Sequence, residues 1–256
     1  MPIEQDVVQA SGIINTWYAN SRKHSPRNPQ HIHIPTGRER QGRGRLFLFP
    51  GKRTTMLKSE TPLLSPRFAL ALQFANQIHA TQARGGRGAP YISHLMAVSA
   101  LVLEYGGNED QAIAGLLHDA AEDCGGRPML DTVRVMFGDE VADIVECCTD
   151  TFETPKPQWQ PRKQAYIDRM REEPHNARLV VTADKLHNLS NTLRDIRAKG
   201  ATAWKNEMAG SANKAADKQI WYYKGCLQSL SDGWSSPLLG EFSQAVTELE
   251  SLMTKA

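Results

Sequence analysis

Gly115-Leu-Leu-His-Asp-Ala-Ala-Glu-Asp-Cys124 is the stretch on which the rest of this chain depends. Wound as one helix with His118 at 0°, it puts Asp119 at about 100°, Glu122 at about 40° and Asp123 at about 140°. Ile113, Leu116, Leu117, Ala120 and Ala121 fill the arc from about 160° to about 300°. One side of such a helix is apolar and belongs in a core. The other carries an imidazole and three carboxylates, where a solvated face usually mixes in Lys, Gln and Ser. A capped acidic helix end beside a chance histidine has the same pattern, because short motifs also match by accident. The surrounding chain has to decide between the two.

With 256 residues, 40% hydrophobic and 23% charged, the chain can bury a sizeable core as one large domain or two small ones. Its formal charge of +2 is unevenly placed. Residues 1–56 hold nine Lys/Arg against three Asp/Glu, which leaves the remainder net acidic. That distribution gives no support for a nucleic-acid-binding body. Cys124, Cys147, Cys148 and Cys226 form no CxxC pair and no even framework, which predicts a reduced, cytoplasmic protein. No apolar run approaches the ~18 residues of a membrane span, and no apolar segment follows a basic start as in a secretory leader. Neither a membrane nor a nucleic-acid partner is therefore expected.

Residues 1–55 read as an N-terminal extension without stable structure. Arg22–Pro29 and Gly37–Arg45 have no sustained period and are punctuated by Pro and Gly, a composition poor in the apolar surface that offsets ordering entropy. Leu46–Phe49 could form a short strand with no evident partner. Residues 56–256 form the expected domain. From Pro66 onward the periodicity is helical: a first helix through Ile78–His79, a loop at Ala83–Pro90, and a second helix from Tyr91 to Tyr105. The organising helix then runs from an Asn108 or Glu109 cap to Gly125-Gly126. Further helices are expected at Met129–Phe137, Glu140–Cys148, Arg162–Arg171, Asn176–Lys199, Asn213–Leu230 and Pro237–Met253, with a proline-rich loop at 151–161. The expected fold class is all-α, helices stacked as a bundle around one core.

His94 on the second helix, His118-Asp119 on the third and Asp184 in Val180-Val-Thr-Ala-Asp-Lys-Leu-His-Asn188 form a mixed nitrogen–oxygen set. Such a set suits a hard-to-borderline divalent ion with open water positions, such as Mn²⁺, whereas a structural zinc site prefers cysteine. Asp184 follows the apolar Leu179, Val180 and Val181, where an unpaired carboxylate is costly, and Asn188 lies one turn on.

These residues resemble the H…HD…D signature of the HD superfamily of metal-dependent phosphohydrolases. More narrowly, Pro90-Tyr-Ile-Ser-His94, Leu117-His-Asp-Ala-Ala-Glu-Asp123, Phe137-Gly-Asp-Glu-Val141 and Ala183-Asp-Lys-Leu-His-Asn188 resemble the hydrolase domain of RelA/SpoT homologues, with no synthetase domain following. The likeness spans about Pro66 to Tyr223 and is greatest to small alarmone hydrolases. It implies an HD-domain helical bundle and a Mn²⁺-dependent 3′-pyrophosphohydrolase of (p)ppGpp or (p)ppApp. It also implies His94, His118, Asp119 and Asp184 as metal ligands, Glu122 and Asp123 as the acid/base pair, and Arg84 and Asn188 at the nucleotide. A non-catalytic nucleotide-binding module, or a nucleotidase acting on another nucleotide such as NADPH, is the competing reading. The presence of Glu122-Asp123 argues against the module.

The chain departs from the family pattern in three places. Arg84 is followed by Gly85 where the family has Arg-Lys, with Arg87 as a candidate replacement; Leu95 replaces a proline; and an arginine is lost around Ser190-Asn191. All three touch substrate recognition and leave the metal set whole, so they bear on the base more than on the chemistry. Lys163, after the proline-rich loop, is a further candidate phosphate contact. His79 reads as a core histidine, His187 as a group supporting the ligands, and Trp221-Tyr-Tyr223 as core packing. His31 and His33 look metal-like only by spacing.

Overall fold

Ser65 opens the first of the described helices, α1 (Pro66–Ile78), by accepting the Arg67 N–H at 3.2 Å, and Pro66 sits where its missing N–H costs nothing. The computed structural model describes residues 63–85, 88–209 and 215–254. The expectations for residues 1–55, including the strand at Leu46–Phe49, His31 and His33, and for Arg87 lie outside the described residues.

The helices that follow are α2 (Ile92–Glu104), α3 (Glu109–Leu117), α4 (Ala120–Cys124), α5 (Gly126–Phe137) and α6 (Asp139–Cys148). After a loop come α7 (Trp159–Met170), α8 (His175–Lys199), α9 (Ala201–Ala209), α10 (Ala216–Leu230) and α11 (Pro237–Thr254). Among the described residues there is no strand, only an isolated antiparallel bridge between Ala83 and Pro90. The fold is all-α.

The centre is α8, packed by α2, α3, α6, α10 and α11. Its first half, Ala177 to Leu186, is buried residue after residue, so it has no solvent stripe there. On α3, a capping box between Asn108 and Gln111 starts the helix, and every residue from Gln111 to Leu117 is buried. A Cβ on Gly115 would stand 3.0 Å from the Ser99 Cα, so glycine permits α2 and α3 to approach closely. The Ser99 hydroxyl spans that contact by donating to Ala112 O at 2.8 Å. Leu116 and Leu117 are almost fully enclosed, and truncating either to Ala costs about 2–5 kcal/mol.

Several boundaries differ from the sequence reading. The single helix expected from Asn108 to Gly125 is two, parted at His118-Asp119, where Asp119 adopts φ −96°, ψ −1°. The His118 imidazole binds Gly115 O at 2.9 Å and so competes for the carbonyl that an uninterrupted helix would give to the Asp119 N–H. Helix α7 begins at Trp159, inside the expected loop, because Pro161 falls in its first turn, where an N–H has no helical partner. Helix α5 starts three residues early, at Gly126. Helix α9 was not anticipated: Gly200, at φ +85°, turns the chain after α8 and helix resumes at once, burying Trp204.

Candidate metal centre and catalytic cleft

Three ligand atoms from His94, His118 and Asp184 lie within 4.8 Å of one another, delivered by α2, the end of α3 and the middle of α8. All three residues are buried, at 1%, 1% and 6% exposure. His94 Nε2 stands 3.1 Å from Asp184 Oδ1 and 3.6 Å from Asp119 Oδ2. His118 Nε2 stands 3.0 Å from Asp119 Oδ2 and 3.5 Å from Asp184 Oδ1. The two imidazoles meet edge to face, with centroids 4.9 Å apart. Asp119 closes the set from the rim, with its side chain 19% exposed.

The chemistry of this set calls for a cation. Because His118 Nδ1 is spent on Gly115 O, its Nε2 offers a lone pair into the cluster, and that buried atom has no hydrogen-bond partner. Lone pairs of two carboxylates and two imidazoles thus converge, an arrangement that is repulsive without a positive charge among them. The electrostatics agree. Burial disfavours the His118 imidazolium, yet the neighbouring Asp119 outweighs it and holds the ring well above its ordinary pKa. Burial likewise opposes ionisation of Asp119 and Asp184, and His118 beside the first and Lys185 beside the second overcome it, so both carboxyls sit low. For His94 burial dominates and its pKa falls. One proton on His118, or one divalent ion shared by the four residues, satisfies the cluster, and the donor set fits such an ion.

Lys185 and Tyr91, which the sequence reading gave no role, hold these residues in place together with Asn188 and His187. Lys185 Nζ donates to Asp184 Oδ2 at 2.7 Å, and Asn188 Nδ2 donates to Oδ1 at 2.6 Å, so both carboxylate oxygens are oriented. Lys185 is itself buried, its ammonium 5.0 Å from the Tyr166 ring centre. A lysine directly after the candidate ligand Asp184 in an apolar helix was the available signal. The Tyr91 hydroxyl donates to Asp119 Oδ2 at 2.6 Å; burial, then Asp119, pushes its pKa far up, so it stays a donor. His187 meets His94 Nδ1 at 2.7 Å through its own Nδ1, and burial, with His94 and Arg84 nearby, lowers its pKa to about 4. It therefore lies behind the ligands as a neutral ring.

Glu122 and Asp123, on α4, line a cleft of about 860 Å³ with Gly125–Pro128 and the loop Thr151–Thr154 and Lys156. The Lys156 ammonium reaches Glu122 Oε1 at 2.7 Å and lies 3.9 Å from Asp123 Oδ1. Glu122 Oε2 also accepts the Asp150 N–H at 3.4 Å. Nothing in the local sequence marked Lys156, which sits among prolines. Arg84 Nη2 donates to Asn188 Oδ1 at 2.7 Å, which brings those two residues together beside Asp184. Lys163 is engaged otherwise: its ammonium pairs with the buried Asp150 at 2.5 Å and lies over the Tyr222 ring. Tyr222 and Tyr223 are buried in the core, as their spacing predicted.

Residues 71–209 match the family described as HD domain. Among curated proteins, the chain is 32% identical over 165 residues to the guanosine-3′,5′-bis(diphosphate) 3′-pyrophosphohydrolase MESH1 of Mus musculus, covering 63% of this chain and 87% of that protein. It is 31% identical over 178 residues to a probable guanosine-3′,5′-bis(diphosphate) 3′-pyrophosphohydrolase of Synechocystis, covering 65% of this chain but only 22% of that longer protein. A solved structure of a metazoan SpoT orthologue that hydrolyses ppGpp superposes with a TM-score of 0.59 at 26% identity, over 74% of this chain and 98% of that one. A Listeria monocytogenes crystal structure gives 0.53 at 30% identity, over 63% and 98%.

Proposed function

Because this chain belongs to the HD-domain family, we propose that it is a metal-dependent 3′-pyrophosphohydrolase of guanosine or adenosine alarmones. In this reading water adds to the phosphorus on the 3′ oxygen, the P–O3′ bond breaks, the 3′ oxygen takes up a proton as a hydroxyl, and pyrophosphate is released. The observation that carries it is the converged, cation-demanding set of His94, His118, Asp119 and Asp184 in a chain similar to named ppGpp hydrolases. These four residues would hold the ion, and the mix of two imidazoles and two carboxylates favours Mn²⁺. A bound divalent ion supplies Lewis acidity and a water of lowered pKa.

The chain's own groups do the rest. Glu122 and Asp123 face the cleft and take or deliver the proton of the attacking water. Arg84 and Asn188, already paired, offer guanidinium and amide donors to phosphate and sugar. Lys156 neutralises Glu122 until phosphate arrives to compete for the ammonium. Lys163 enters indirectly, by holding Asp150 so that its N–H meets Glu122. The four free cysteines accord with a cytoplasmic setting, and the partner is a small nucleotide. Among the described residues no helix is long and apolar enough to cross a membrane.

A turnover screen tests the reading: ppGpp, pppGpp, ppApp and NADPH, each with Mn²⁺, Mg²⁺ or Zn²⁺. Manganese-dependent pyrophosphate release from an alarmone is expected. Phosphate release from NADPH alone would make it a nucleotidase of different specificity, and binding without turnover would make it a regulatory module.

A further inference from the structure

The loop between α1 and α2 carries three side chains that reach into the site from one clip. The Ala83–Pro90 bridge closes it, with Arg84 N–H on Ala89 O at 2.8 Å and Tyr91 N–H on Gln82 O at 3.0 Å. From it Tyr91 reaches Asp119, Arg84 reaches Asn188, and Gln82 Nε2 donates to Asp123 Oδ2 at 2.8 Å. Neither Gln82 nor its neighbour His79 has a part in the reaction described above.

The hydrogen-bond directions along this row are determined. An ionised carboxylate only accepts, so the Gln82 amide nitrogen must face Asp123 and its Oε1 must face the other way. Oε1 lies 2.6 Å from His79 Nδ1, which must therefore carry the proton. His79 is 3% exposed and stacks on Tyr91, with centroids 5.2 Å apart and planes 24° from parallel. Its Nε2 lies 3.7 Å from Cys124 Sγ. A buried imidazole thus sets the amide, and the amide fixes one oxygen of a carboxylate whose other oxygen lies 3.9 Å from the Lys156 ammonium.

We infer that Gln82, oriented by His79, is a positioning residue that pins Asp123 Oδ2 and leaves Oδ1 to the cleft. This rests on the proposed acid/base role of Asp123. Acting through Asp123 alone, Gln82 governs the rate of the bound complex and leaves metal and nucleotide affinity untouched.

The test compares wild type, Gln82→Met and Gln82→Glu in ppGpp turnover with Mn²⁺, together with metal content and Tm. Both variants keep the side chain's length and lose the donor, and Gln82→Glu sets two carboxylates against each other. A loss of kcat of about ten-fold or more is expected, larger for Gln82→Glu, with KM within about two-fold and manganese content unchanged. His79→Phe keeps the stack on Tyr91 and removes the Nδ1–H; it should reproduce part of the loss and guards against a folding defect at position 82. Wild-type kcat in the Gln82 variants, or a loss that follows Tm or metal content, overturns the inference. Failure of wild type to release pyrophosphate instead overturns the underlying reading, so the two failures are distinct.

Discussion

His94, His118 and Asp184, the floor, are at most 6% exposed and do not themselves line the cleft, while on its rim Asp123 lies open and Lys156, bridging to Glu122, keeps 43% of its side chain in solvent. On the floor each candidate ligand has a neighbour fixing it: Gly115 O on His118 Nδ1, His187 on His94 Nδ1, Lys185 on Asp184 Oδ2 and Asn188 on Asp184 Oδ1. The rim is held by the partly exposed Lys156–Glu122 ion pair across a loop, the Asp150 N–H on Glu122 and the Gln82 amide on Asp123. Buried charges are strong and unforgiving because nothing else can solvate them, whereas exposed pairs are screened and exchangeable. A metal centre needs the first behaviour. A cleft that admits a polyanion and then releases it needs the second.

Asp184→Ala is the most drastic way to break that contrast. It removes a proposed ligand and strands the buried Lys185 ammonium, a loss of roughly 3–5 kcal/mol. Turnover and bound manganese should vanish and Tm should fall by on the order of 10 °C. His94→Ala should abolish metal and turnover with a smaller thermal penalty. Wild-type metal content by elemental analysis in both variants would mean that the floor is not the metal centre.

Glu122→Gln acts on the rim, so its effect should be kinetic only. kcat should drop by about 10² to 10⁴ while metal content stays at the wild-type level. Loss of manganese in this variant would move Glu122 from rim to floor.

Lys156→Met sharpens the same point at lower amplitude. Removing a half-exposed partner should change stability by less than about 1 kcal/mol, read by denaturant titration. A cost several times larger would show the rim to be as rigid as the floor. The smallest effect is expected from deleting residues 1–55, which should leave kcat unchanged and move Tm by less than about 2 °C. A fall of several degrees would tie the extension to the domain.

The all-α class, the candidate ligand residues and the order of the helices that carry them were legible in the chain. Helical periodicity and caps such as Asn108 are local, and a carboxylate at Asp184 inside an apolar run announces its own need for a partner. Local pattern could not show the break at His118-Asp119, since it arises from a side chain competing for a main-chain carbonyl. Nor could it show Lys156 on Glu122, Lys163 on Asp150 or Gln82 on Asp123, pairs separated by 34, 13 and 41 residues. Lysine and glutamine are ordinary surface residues until a fold brings a carboxylate to them. The sequence by itself determined which atoms could bind an ion and which helices carry them, because residue chemistry and helical period are properties of short segments. Which lone pairs converge, and which cation or amide restrains each carboxylate, was decided only when the tertiary structure set distant loops against α4 and α8.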